Sequence, residues 1–405
     1  MLRLLKIALR NVFRNRWRSA VSALVVFVGV TLIVFLQGFI NGLLENTIQD
    51  AALAKLGAIQ IHRKGYLDAE RDPLKLDLPA TGELLAKVRA VPGVAAVTPR
   101  LTFEGMLGNG ATQSMFLATA IDPASEYTVC PKRREQVADG QKPLETDSGG
   151  AALIGQQLVE SLGARPGHTL TVVSASQNGA QNALDIQVQG YLKTRIVLES
   201  KRMATVPLAF AQELLRMPGR ATELAVAVTS LDQTDLVAAR LREAVGPEYE
   251  VHTWRDLSPM ARDMVVRMKV VLLIISVVLF LLVGTGIGNT MLMSISERVR
   301  EIGTMLAVGT RRYQVMLLFL VEAATLGLVG GAIGAALGTG LVEWFGHRGI
   351  TFDIPGGSRL VFFPFVSASF VALVVAAATV AAIVAALYPA RKGSRLSPVE
   401  ALRSN

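Results

Sequence analysis

Four apolar runs limit what this chain can fold into: Ala20 to Leu44, Val265 to Met293, Tyr313 to Val342 and Phe362 to Tyr388. Each exceeds the ~20 residues a helix needs to cross the hydrocarbon of a bilayer. Inside lipid every backbone polar group must find its partner within the segment, so runs of this length are expected to be helices. A mean hydropathy of +0.42 over 405 residues agrees with a chain that lies partly in a membrane.

The ends of the runs carry the charge. Lys and Arg number 41 against 32 Asp and Glu, a net charge of +9. The excess gathers beside the apolar runs, which speaks for membrane orientation and against a nucleic-acid partner. In residues 1–18, Arg3, Lys6, Arg10, Arg14, Arg16 and Arg18 stand without an acid, and Leu2, Leu5, Leu9 and Val12–Phe13 recur at helical spacing. An amphipathic helix on an anionic cytoplasmic face is expected there. A signal peptide is the competing reading. The run after it, interrupted only by Ser22, Thr31, Gln37 and Asn41, is longer than the ~7–15 residues of a signal core. An uncleaved first span over 19–44 is expected. The tail 389–405 is basic again, with Arg391, Lys392, Arg395 and Arg403. If four spans alternate, segments 1–18, 294–312 and 389–405 share one side, which the positive-inside rule places in the cytoplasm. Residues 45–264 and the short loop 343–361 then lie outside, in the periplasm of a Gram-negative cell.

Residues 45–264 change character. Ala58 to His62 and Val94 to Thr98 read as strands around a helix at Gly82 to Val91. Glu223 to Thr229 and Tyr249 to Thr253 do the same around a helix at Asp232 to Val245. Both second strands follow a Pro/Gly turn, so the two halves look like related α+β units. Between them, Met115 to Ala120, Thr169 to Ser174 and Leu184 to Leu192 alternate as strands, with one helix at Gln156 to Leu162. The expectation is a split α+β domain (45–100 and 206–264) with a β-rich insertion at 101–205. The fold class is thus an α-helical membrane protein with four spans and a large extracytoplasmic α+β domain.

The spans are expected at 19–44, 265–293, 313–342 and 362–388. Between the second and third lies Ser294 to Arg312, SISERVREIGTMLAVGTRR, a charged block. Ser294 and Glu297 have the S-x-x-E spacing of a capping box. Ile295, Val299, Ile302 and Leu306 make one apolar stripe. Glu297–Arg300 and Arg298–Glu301 are oppositely charged i,i+3 pairs, and Gly309 suits a C-terminal cap. In the third span Gly327, Gly331, Gly334 and Gly338 form a small-residue face that lets another helix approach closely. Glu322 is an acid well inside that span, for which an interhelical partner such as Asn289 of the second span is expected ahead of a proton site.

No catalytic constellation stands out. There is no G-x-x-x-x-G-K-[ST] loop to hold ATP. Gly284 to Gly288 follows a membrane run, where glycines serve helix packing. His62, His168, His252 and His347 lack metal-ligand spacing, and the single Cys130 excludes a cysteine zinc site and an internal disulfide. No cofactor or metal is expected in this chain.

The block SERVREIGTMLAVGTRR followed by VEAATLGLVGGAIGAALG resembles the MacB-type, FtsX-like permeases of ABC transporters (type VII). The ends ALRNVFRNRWRS and YPARKGSRLSPVEALR are similar to that family's ends, and IQIHRKGYLD looks closest to its lipoprotein-release-like branch. The resemblance implies an inner-membrane permease dimer, homo- or heteromeric, with a porter-like split α+β part carrying a β-rich insertion outside the cell membrane. It implies a cytoplasmic ATPase dimer that carries ATP and Mg, a separate chain because no fused ATPase domain stands in this one. In the family the helix between spans two and three docks on that ATPase, which assigns coupling to Glu297, Arg298, Arg300, Glu301 and Gly303. It further implies mechanotransmission: ATP-driven movement of the outer domains that exports or releases a lipoprotein, a peptide or an amphiphilic small molecule, with a periplasmic adaptor or lipoprotein as possible partner. The alternative is an FtsX-like relay that regulates a periplasmic cell-wall hydrolase. A proton-coupled carrier built on Glu322 fits poorly with four spans.

Overall fold

The computed structural model describes residues 16–68, 72–146, 149–194, 197–354 and 358–395. The expected surface helix at 1–18 lies almost wholly outside the described residues, as does the tail from 396 onward, Arg403 included. The chain divides into two units: 1–45 with 265–351 and 361–405, and 46–264 with 352–360.

Among the described residues, four helices are long and apolar enough to cross a membrane, at Ala20–Lys55, Pro259–Glu297, Arg312–Arg348 and Ala368–Ser394. All overrun the expected limits at their C-terminal ends, because hydropathy marks the lipid-crossing stretch while helical hydrogen bonding continues until a breaker intervenes. The fourth begins at Ala368 and not at the expected 362, since Phe362 ends a strand. The third ends only at Gly349, whose φ of 73° closes it. The fourth runs through Pro389 into the expected tail. The expected loop at 343–361 is the end of the third helix followed by a two-stranded ladder of Ile350–Ile354 with Ser358–Phe362.

Within the first unit the glycines of the third span serve two neighbours. A methyl placed on Gly327 would lie 2.9 Å from Ala382 Cβ, and Gly331 also faces the fourth span at Val375 and Ala378. Gly334 and Gly338 face the first: a methyl there would meet Phe27 O at 2.5 Å and Val34 Cβ at 2.9 Å. Thr31 Oγ1 donates to Gly334 O at 3.0 Å across that seam. Ala378, Ala382, Ala386 and Ala390, all buried, continue the close contact along the fourth helix. Lipid supplies no hydrophobic force between helices, so such backbone proximity is what holds them. Gly284 and Gly288 lie against Ala385, in keeping with helix packing.

The second unit is built on one nine-stranded sheet. Its strands are β1 (Ile59–Arg63), β2 (Val94–Gly108), β3 (Gln113–Ile121), β4 (Ala151–Gly155), β5 (Thr169–Ala175), β6 (Gln181–Leu192), β7 (Met203–Pro207), β8 (Glu223–Val228) and β9 (Tyr249–Thr253). Their order is β9-β1-β8-β2-β3-β7-β4-β6-β5, and β5 pairs back onto β2. The first four, all antiparallel, carry helices Glu83–Ala90 and Thr234–Val245 in a split βαβ arrangement around Ile59, Ile61, Leu84, Val88, Leu224 and Leu241. The strands from β2 to β5 close into a ring around Leu101, Phe103, Phe116, Ile154, Val172 and Val206.

β2 belongs to both parts. It pairs with β8 up to Arg100 and with β3 from Arg100 onward. The expected strand end at Thr98 and the expected border at 100/101 therefore fall inside one strand. Pro99 does not end the strand: its missing N–H is tolerated because β3 begins alongside only at Arg100. Gly105 makes the ring closure possible, since a methyl there would stand 2.4 Å from Val173 O.

Candidate functional site

Residues 294–312 differ from the expected single capped helix. The second span continues helically through Ser294 to Glu297, and Ser294 is buried. Ile295 packs on the fourth helix, where a methyl on Gly393 would sit 3.0 Å from it, and that contact keeps the segment helical despite the S-x-x-E spacing. The break comes at Arg298, with φ −105° and ψ 16°, and a second helix follows at Val299–Ala307. It ends in a Schellman motif: Gly309, at φ 99°, donates to Leu306 O, and Thr310 N donates to Met305 O at 3.0 Å. Arg311 N donates to Gln314 Oε1 at 2.9 Å and opens the third span.

The break splits the five residues assigned to coupling. Glu297, Arg300 and Glu301 are exposed on one side, together with Thr304 and Val308. Gly303 and Ile302 are buried. Arg298 is buried too, so the expected Arg298–Glu301 pair does not form. Its Nη1 lies 3.5 Å from Oε2 of Glu322, itself 4% exposed in the third span. Asn289, the expected partner of Glu322, is exposed on the second span. Glu322 thus meets the charged block itself, a pairing hidden by the distance in sequence.

The second unit holds a buried ionic cluster that sequence reasoning missed. The helix of the first span passes into a π-helical turn at Asp50–Lys55. Arg100 of β2, 1% exposed, lies beside that turn with all five of its N–H donors engaged. Nε and Nη2 reach the two carboxylate oxygens of Glu126 at 2.8 Å each. Nη1 reaches the carbonyls of Lys55 and Leu56, both at 3.0 Å, and Nη2 also donates to Cys130 Sγ at 3.1 Å. Arg133 adds bonds to Ala54 O at 3.3 Å and Lys55 O at 2.8 Å, and lies 3.1 Å from Glu126 Oε1. Burial alone would lower the Arg100 pKa, but Glu126, Cys130 and Glu223 hold it above the ordinary guanidinium value. Burial pushes the Cys130 thiol up, with Arg100 opposing. Burial also opposes ionisation of Glu223, yet His62 and Arg100 outweigh it and hold that carboxyl below the usual range. Side-chain alternation places Arg100 with Thr98 and Thr102, opposite Leu101 and Phe103, which reads as a solvent face. Only the tertiary fold covers it.

Four membrane-length helices joined to a mixed α/β domain, with a broken, charged helix between the second and third, define a multi-pass membrane protein of the permease class. The comparisons agree segment by segment: residues 19–244 match the model of the MacB-like periplasmic core domain and residues 273–398 that of the FtsX-like permease C-terminal domain. This chain belongs to the MacB-type family of FtsX-like permeases. Among curated relatives, the pyoverdine export ATP-binding/permease protein PvdT of Pseudomonas putida is 25% identical over 100% of this chain and 60% of its own length. The macrolide export ATP-binding/permease protein MacB of Agrobacterium fabrum is 26% identical over 98% of this chain and 60% of its own length. A Burkholderia pseudomallei MacB reaches 38% identity over 33% of this chain and 19% of its own length. The chain thus spans less than two thirds of the relatives it matches. The periplasmic region of MacB from Actinobacillus actinomycetemcomitans aligns at 12% identity over 51% of this chain and 92% of that structure, with a TM-score of 0.35.

Proposed function

We propose that this chain is the non-catalytic membrane subunit of an ATP-driven exporter that converts ATP hydrolysis by a cytoplasmic ATPase partner into movement of its outer domain. Residues 46–264 lie outside the cytoplasm, and the break between the second and third spans lies inside it. The observation that carries this reading is the sorting of the charged block. Glu297, Arg300 and Glu301 face outward as a docking surface, while Arg298 turns inward and ties the block to the third span through Glu322. A push on the docking face is therefore passed on to a membrane helix. The likeness to macrolide and pyoverdine export proteins supports export of an amphiphilic small molecule of that kind. A second permease copy or close relative, and a periplasmic adaptor, complete the assembly.

The test reverses the docking charges with Arg300→Glu and Glu301→Arg in one chain. Both side chains are exposed, so the fold is expected to survive while the ATPase no longer co-purifies. An ATPase that still co-purifies with unchanged ATP turnover sinks the docking assignment.

A further inference from the structure

The C-terminal end of a helix leaves its last carbonyls without intrahelical partners and carries partial negative charge. At the end of the first span's helical extension, the carbonyls of Ala54, Lys55 and Leu56 all accept from two arginines of the sheet domain. Lys132 Nζ adds a bond to Gln49 Oε1 at 2.7 Å, one turn earlier. Trp254, itself buried, packs on Ala51 and Ala52. The helix end is therefore held on several sides by one domain.

We infer that Arg100 and Arg133 form a socket that grips this helix end, and that Arg100 is the positioning residue through which displacement of the first span reaches β2 and β3. The inference rests on the export reading above. Three observations carry it. Arg100 sits at the residue where β2 changes partners, opposite Glu223 of β8 and Ile121 of β3, so a pull on it acts on both parts of the sheet. Its five donors are all engaged in a planar, rigid fork, and Glu126 fixes that fork from the far side. A buried ion pair is also a poor way to gain stability, since well-packed apolar residues of similar volume often do as well or better. What apolar residues lack is a directional hold on backbone carbonyls, the one thing this cluster adds. A lysine, with a point charge in place of the fork, would not reproduce it.

The test uses the full chain in nanodiscs with its co-purifying ATPase, and reads amide hydrogen exchange with and without ATP plus vanadate. In the parent chain, nucleotide is expected to change exchange in 46–56 and in β2 and β3 together. In Arg100→Met the response of 46–56 and ATP turnover are expected to persist, with loss of the response in the strands. Strands that respond as in the parent overturn the inference, whatever happens to the melting temperature. If Arg100→Met fails to assemble, Arg133→Met carries the test. It removes the bonds to Ala54 and Lys55 with the Arg100–Glu126 pair in place, and is expected to weaken the strand response; an unchanged response overturns the inference. A parent chain in which 46–56 responds but the strands do not overturns the inference alone. One in which neither responds overturns the export reading as well.

Discussion

The two units each bury an arginine beside a glutamate, and they do so in opposite ways. Arg100 meets Glu126 through two hydrogen bonds and satisfies every donor. Arg298 approaches Glu322 at 3.5 Å, and its Nη1, though buried, makes no hydrogen bond. A guanidinium with all five donors engaged has one favoured arrangement and resists displacement. The facing atoms Arg298 Nη1 and Glu322 Oε2, without a hydrogen bond between them and at a bend between two helices, fix no single arrangement. The first geometry suits an anchor and the second a joint. In the export reading both are needed, a joint near the docking face and an anchor where motion is delivered.

That contrast can be broken most forcefully at the anchor. Arg100→Met leaves Glu126 and Lys55 O with Arg133 and Leu56 O with Gln60, and should destabilise the outer domain by about 3 kcal/mol in thermal or denaturant unfolding of the full chain. A loss well under 1 kcal/mol would mean the cluster is not an anchor. Adding Glu126→Leu should recover about half of that loss, because it removes the stranded charge; strict additivity of the two changes would argue against their coupling. At the joint, Arg298→Met should cost only about 1 kcal/mol in detergent unfolding, the scale of polar contacts between membrane helices. A loss as large as that of Arg100→Met would erase the distinction. The smallest effect concerns pH. Glu223 is held below the ordinary carboxylate range in the fold, so its contribution is full above about pH 4.3 and fades as pH falls through its folded value. Burial and His62 hold His252 below its ordinary value against Glu250, so its share is full above about pH 6.5 and is also lost on acidification. The outer domain should weaken in acid, and Glu223→Gln should flatten the lower part of the curve in pH-dependent melting.

The parts governed by short-range pattern were legible in the sequence. Four apolar runs announced four helices, and the two strand–helix–strand signatures announced the paired halves that meet as β9-β1-β8-β2. Gly309 was legible as a cap because its role needs only its neighbours. What stayed hidden depended on partners far along the chain. Arg298 and Glu322 meet because a helix break turns one side chain inward, and S-x-x-E spacing pointed to a start four residues too early. Arg100 lay beyond the expected strand end at Thr98, and nothing local shows that Asp50–Lys55 and the helix Pro123–Val129 close over it. A single charged residue inside an otherwise uncharged stretch, TPRLTF, was the available signal.

The two glycine seams of the third span carry a mechanical consequence. Where helices mesh through large side chains, axial slip must lift each knob from its hole. Along Gly334 and Gly338 the first span instead faces bare backbone, with the bond from Thr31 to Gly334 as a latch. Val34 still seats its Cβ against Gly338, so the seam sets the spacing of the two helices: any residue larger than glycine at 334 or 338 would push the first span off the third.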